Sequence, residues 1–391
     1  MLHAKKIIFN VVASKENSMT TRIPFIASMA LAISASAAHA DDTAQSMFKF
    51  SGFATLGISH SSEKRGDYVV DSTVPKGAGL NNDWSLGNDS RIGGQVSAEF
   101  SPHISGVLQV ISEYQSDSTW RPTVEWANLK YSFTPDFYVR AGRIALPTFL
   151  NSDTRKVGAS YPWVHPPMEL YRQLAITNSD GVDVMYRFNF GDASNSIRAV
   201  YGRNTINRPA SVSTSRGMWG IFDTLEYGPV LFHAGFQERE SSSLNSVTGA
   251  VGPWTRNTDL SLGASYDPGK WFVMSEWIQR TSTTRRGAMY VSGGYHYGEF
   301  TPYLTYSQDS RSSFLPGVVP TGNQITLATR SQYTTTFGTR WNYRQNSDLT
   351  LQYDLVQLGP DSNGDMANVP AGVRLYGSRF HVFSATLDFL F

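Results

Sequence analysis

The residues that could do chemistry in this 391-residue chain are mostly arginines and a few carboxylates, with no nucleophile and base in a recognisable pattern. There is no cysteine, which removes thiol nucleophiles, thiolate metal sites and disulfide scaffolds. No His-Glu-x-x-His, Gly-x-Ser-x-Gly or phosphate-binding Gly-rich loop ending in Lys-Ser/Thr occurs. Histidines 60, 103, 165, 233, 296 and 381 are scattered among unrelated segments. Asp361-Ser-Asn363-Gly-Asp365 opens like a calcium loop but lacks the glycine and glutamate that would complete it. We therefore expect no catalytic residue, metal or cofactor, and not an enzyme. What the sequence does space regularly is positive charge: Lys130, Arg140, Arg187, Arg198 and Arg340 each lie three or four residues from a turn, on the polar side of an alternating segment. Fixed cations on one level of an enclosed wall attract anions by their field and transform nothing.

The elements that must position them are strands. Apolar residues recur with period two, as in Phe383, Ala385, Leu387, Phe389 and Phe391 against Ser384, Thr386 and Asp388, or Leu349, Leu351, Tyr353 and Leu355 against Thr350, Gln352 and Asp354. Only 17% of residues are charged and 13% are aromatic, and the polar face carries Ser, Thr, Gln, Gly and Arg rather than the Lys and Glu of a solvated sandwich. Strand after strand of about ten such residues is the pattern of a transmembrane antiparallel β-barrel, which satisfies every backbone group in lipid by closing on itself. With 33 Lys+Arg against 32 Asp+Glu, the balance also argues against a nucleic-acid partner.

Residues 19–40 carry Arg22, an apolar stretch from Ile23 to about Ala35 and the exit Ala38-His39-Ala40. This predicts a secretory signal peptide over 1–40, starting at Met1 or at Met19, with cleavage before Asp41. Removing it takes away Lys5, Lys6, Lys15, Arg22 and Glu16 and leaves 29 cations against 31 anions. Residues 41–391 then form a single barrel domain.

Sixteen strands are expected, near 47–60, 90–101, 103–116, 123–134, 136–145, 180–190, 194–205, 217–227, 229–240, 257–267, 270–281, 287–297, 299–309, 331–343, 348–358 and 379–391. Tight turns alternate with loops at 61–89, 146–179, 206–216, 241–256, 310–330 and 359–378, which places the tight turns and both termini on the periplasmic side. The loop 146–179 holds four prolines together with Trp163, Val164, Met168, Leu170 and Tyr171. Its length and apolar content predict either an inward fold that narrows the lumen or an extracellular loop packed over the rim or against a neighbouring subunit, and composition favours the first. Asp153 and Glu169 are its acidic candidates.

The chain resembles the general Gram-negative outer-membrane porins. Ser90-Arg91-Ile92-Gly93 with Ala98-Glu99-Phe100 is similar to that family's second-strand segment, and Ala141-Gly142-Arg143 to its Gly-Arg segment before the constriction loop. The terminal Phe391 is similar to its assembly signal. The resemblance implies a sixteen-stranded homotrimer in the outer membrane, with an inward third loop at 146–179, Arg91 and Arg143 lining a constriction, and Phe391 read by the barrel-assembly machinery. It also implies lipid and lipopolysaccharide around the barrel, and passive diffusion of small hydrophilic solutes through it. The family's acidic Pro-Glu-Phe-Gly-type motif is missing. Strict alternation points Arg143 at lipid unless a bulge or an early exit into the loop turns it inward.

The basic belt adds a mild anion preference, unless carboxylates such as Asp183, Glu276 and Asp354 neutralise it. The alternatives are a substrate-selective channel or an outer-membrane barrel acting as hydrolase or adhesin.

Overall fold

The computed structural model describes residues 47–310, 313–314 and 330–391, so the signal peptide expected over 1–40 and most of the 310–330 loop lie outside it. Sixteen long antiparallel strands close into one barrel. They are β1 (Phe48–Ser61), β2 (Arg91–Glu99), β3 (Ile104–Glu113), β4 (Pro122–Thr134), β5 (Phe137–Ala145), β6 (Asn178–Phe190), β7 (Ala193–Arg208) and β8 (Ser211–Tyr227), then β9 (Val230–Asn245), β10 (Thr255–Tyr266), β11 (Trp271–Thr281), β12 (Thr284–Tyr295), β13 (Phe300–Asp309), β14 (Gln332–Arg344), β15 (Ser347–Leu358) and β16 (Arg379–Leu390). Each strand pairs with its neighbours in sequence, and β1 pairs with both β2 and β16, which leaves no open edge.

Side-chain burial is inverted relative to a soluble protein. In β15, Leu351, Tyr353 and Leu355 are exposed, while Asp348, Thr350, Gln352 and Asp354 are buried. Alternation puts the apolar set outward, where only lipid offers it a favourable surface, and the hydrogen-bonding set inward. Aromatic pairs gather beside the tight turns, among them Phe300 stacked on Trp341 at 5.7 Å and Tyr266 against Trp271 at 5.1 Å. Such rings suit the interface between hydrocarbon and water.

One expected loop is strand. Residues 206–216 belong largely to β7 and β8, whose ladder runs out to the pair Arg208↔Ser211. The register shifts at Gly202/Asn204 and again at Arg216/Trp219, and Gly217 takes φ +55°. These bulges absorb the breaks in alternation that read as a loop in sequence.

The largest apolar core lies inside the barrel. Loop residues Phe149, Tyr161, Trp163, Leu170, Tyr171 and Leu174 pack on inward residues of β11–β13, including Phe272, Met274, Ile278, Tyr290 and Tyr303. A second cluster joins Met168 to Tyr68, Met366 and Leu375 from two other loops and to Val356, Leu358, Phe380 and Val382 of β15 and β16. The inward face of β11 therefore mixes apolar Phe272, Met274 and Ile278, packed on the loop, with the charged Glu276 and Arg280.

Candidate pore constriction and its charged walls

The 146–177 loop leaves β5 after Ala145, three residues beyond Gly142, whose φ of +127° is a conformation that disfavours a side chain. It runs through short turns at Ser152–Thr154 and Gly158–Ser160 and a single helical turn at Met168–Tyr171. Anchors pin it to inward positions across the barrel. Trp163, 1% exposed, donates its indole N–H to Ser292 Oγ at 3.1 Å and Thr305 Oγ1 at 2.9 Å. Glu276 accepts from the Leu150 backbone N–H at 2.7 Å and from the hydroxyls of Tyr171 at 2.6 Å and Tyr290 at 2.8 Å. The Val164 N–H reaches Gln352 Oε1 at 3.1 Å. Buried polar groups satisfied in this way fix a single path for the loop.

The two acidic candidates of the loop have different surroundings. Asp153 is half exposed and faces Arg198 at 3.7 Å. Glu169 is 1% exposed and accepts from Ser307 at 2.6 Å, from Gln332 at 2.7 Å and from Thr334. It is an anchor to the wall, because the helical turn 168–171 points it into β13 and β14 and away from open lumen.

Arg91 points inward and is largely buried, with its Nε donating to the Asp89 carbonyl at 3.1 Å. It lines a cavity of about 50 Å³ with Asp71, Glu113, Arg155, Lys156 and His165, enclosed by the loops 62–90 and 146–177 and by β2 and β3. Lys156 binds Glu113 at 2.6 Å and Arg155 binds Asp71 at 3.2 Å across that cavity. His165 faces Asp89 at 3.1 Å and the Tyr68 hydroxyl at 3.1 Å. Burial disfavours its charge, but the carboxylate of Asp89 outweighs that and holds the imidazole above its ordinary value.

Arg143 is on the outer face. Register places it opposite Asp180 and Ala127, in step with lipid-facing Leu129 and Val182, and it pairs with Asp180 at 2.6 Å. The β4–β5 pairing is continuous from Lys130↔Arg140 to Ala127↔Arg143, so no bulge intervenes to turn it inward. The expectation that it lines the constriction is corrected. Its charge is instead neutralised by a carboxylate on the same face.

The five residues of the expected belt all have inward parity, but most are paired. Arg140 holds Asp183, with Nε to Oδ1 at 2.9 Å, Arg198 lies 3.8 Å from the same carboxylate, and Arg340 binds Asp348 at 2.7 Å and the Tyr161 carbonyl at 2.8 Å. Lys130 sits 5.5 Å above the Tyr138 ring, and Arg187 is exposed on the lumen side. Phe391 extends the β16 ladder onto β1 through Gly52. Sequence reasoning missed a further set of inward arginines: Arg239, Arg280 and Arg286 pair with carboxylates on adjacent strands, and Arg172, Arg208 and Arg330 reach partners in other loops.

The closed sixteen-stranded antiparallel barrel is a fold that this chain shares with Gram-negative outer-membrane porins. Solved structures share it. The outer-membrane channel DcaP of Acinetobacter baumannii matches at a TM-score of 0.58 and 13% identity, covering 88% of this chain and 97% of that one. An anion-selective porin from Comamonas acidovorans matches at 0.56 and 13%, covering 88% and 99%. OmpT of Vibrio cholerae, an outer-membrane protein, matches in its trimer form at 0.56 and 14%, covering 88% and 99%. No family model matches the chain, and no curated protein is significantly similar in sequence.

Proposed function

We propose that this chain is an outer-membrane porin, a water-filled homotrimeric channel through which small hydrophilic solutes diffuse passively, with a preference for anions. The observation that carries the reading is the inverted burial combined with a loop anchored across the lumen, at Glu276, Ser292, Thr305 and Gln352. A barrel that only held the chain in the membrane would have no need of an internal obstruction. Lipid and lipopolysaccharide would surround the apolar belt, and the barrel-assembly machinery would read the carboxyl terminus. The trimer form of the Vibrio cholerae protein and the anion selectivity of the Comamonas porin support the corresponding parts of the proposal by shared fold.

Reconstitution in planar bilayers tests it. The purified protein should give stepwise conductance in KCl, and a dilute KCl gradient should give a reversal potential of the sign for chloride. The selectivity should fade toward 1 M salt, where the Debye length falls to about 3 Å. Absence of steps from a correctly folded barrel would return the hydrolase or adhesin reading. Conducting channels that favour potassium would remove the anion preference alone.

A further inference from the structure

Arginines crowd one side of the lumen beyond the loop. Inward positions of β7, β9, β11 and β12 carry Arg208, Arg239, Arg280 and Arg286, the loop adds Arg172, and Arg330 stands just ahead of β14. Three carboxylates lie among these six guanidinium groups. Asp259 binds Arg239 and, at 3.0 Å, Arg280. Asp309 binds Arg286, and Asp365 lies 3.6 Å from Arg286 and 3.5 Å from Arg330. The next carboxylate, Asp71, is already engaged by Arg155, so including that pair leaves the excess unchanged.

Two guanidinium groups have no carboxylate within ion-pair distance among the described residues. Arg172 donates Nη1 to the carbonyls of Val69, at 2.8 Å, and Asp365, and Arg208 donates Nε to Ser72 at 3.3 Å. They are electrostatic neighbours. Arg208 feels the Asp71 carboxylate first and then Arg172 and Arg239, and Arg286 feels Asp365 first and then Arg330, Arg280 and Arg172. Arg280 and Arg330 keep 30% and 37% of their side-chain surface, so the cluster meets water.

Positive charge held together in a partly dehydrated wall is costly unless a counter-charge accompanies it. The described residues do not supply enough of it. A guanidinium fork matches carboxylate and phosphate oxygens in pairs, which a chloride ion cannot do. We propose that the lumen wall around Arg172 and Arg208 is a binding site for small dianionic oxyanions, either dicarboxylates or phosphate. The inference rests on the channel reading and gives it a substrate class.

Current block in planar bilayers tests it, with KCl carrying the current and succinate, inorganic phosphate or acetate added to the side facing the loops. Succinate, phosphate or both should reduce the current saturably, and acetate at equal concentration should not. The arm that blocks identifies the dianion. Arg208→Gln, which removes the bond to Ser72 and the charge facing Asp71 but none of the ion pairs of the cluster, should raise the half-blocking concentration on the order of tenfold, as expected for losing a charge-assisted bond. Arg208→Lys, which keeps the charge and loses the fork, should fall between that variant and wild type. Block by acetate equal to that by the dianions, no block by either dianion, or an unchanged half-block in Arg208→Gln would each overturn the site while KCl conductance persists. Loss of KCl conductance in the wild-type protein would instead overturn the channel reading.

Discussion

The ring of Phe391 lies over Gly52, so close that a Cβ added there would strike it. The same two residues exchange backbone bonds, Gly52 N–H to Phe391 O at 2.6 Å and Phe391 N–H to Gly52 O at 3.0 Å. They are the last rung of the seam that closes β16 onto β1, so the last residue of the chain is part of the barrel wall.

Gly52→Leu should displace that ring and lower the yield of folded, heat-modifiable barrel several-fold, while Gly52→Ala does less. Phe391→Asp should abolish outer-membrane assembly. A charge this near the interface costs only about 1 kcal/mol or less by partition alone. A large loss would therefore report failed recognition of the terminus, and wild-type levels of assembled Phe391→Asp would rule that recognition out.

Glu276→Gln replaces one of the two acceptor oxygens that tie Leu150, Tyr171 and Tyr290 together. Its new N–H₂ group would face donors. About 1–3 kcal/mol of loop anchoring should be lost. Single-channel recordings should show added current noise, and replacing residues 152–170 by a short Gly/Ser link should raise the conductance step. An unchanged step in the assembled deletion variant would mean that the loop does not limit flow.

His165 gives a pH dependence. Its raised folded-state value means that the pairing with Asp89 stabilises the loop fully below the unfolded value near 6.5 and is lost as pH climbs through the higher folded one. The thermal midpoint in detergent should fall as pH rises from about 6.5, where an unperturbed imidazole titrates, and His165→Asn should flatten that slope. A midpoint that rises over that interval would contradict the assignment.

Arg143→Ala should leave conductance and ion selectivity as they are, since the pair with Asp180 faces outward, but should lower stability because it leaves the Asp180 carboxylate unpaired on the outer face. Arg198→Ala, on the lumen side between Asp153 and Asp183, should shift the reversal potential toward cations. A selectivity change in Arg143→Ala as large as in Arg198→Ala would put Arg143 back in the pore.

The strands were legible because lipid imposes a two-residue period on each of them separately, and Leu349 to Leu355 show it with no knowledge of their neighbours. Parity also pointed Arg143 outward, and only the resemblance argued against it. What sequence could not reveal depends on pairs far apart in the chain. Glu169 reads as a free acid until Gln332 and Thr334, more than 160 positions away, are seen to hold it. The arginine cluster was hidden for the same reason, since Arg172, Arg286 and Asp365 come from three separate regions. One local signal was present but unused. Phe272, Met274 and Ile278 put three apolar side chains on the lumen face of β11 beside Glu276 and Arg280, and an internal occupant explains them.

That internal core also fixes an order of events. Trp163 is made long before its partners Ser292 and Thr305, and Val164 is separated from Gln352 by 188 positions. The loop therefore has no docking wall until β12, β13 and β15 are in register, and contacts of such sequence separation form late and slowly. Until then its aromatic residues and the bare lumen face of β11 are both exposed, and each can stick to other chains. The loop anchored inside the finished barrel is thus an aggregation-prone part of the unfinished one, and the interval before closure is when a chaperone would protect it.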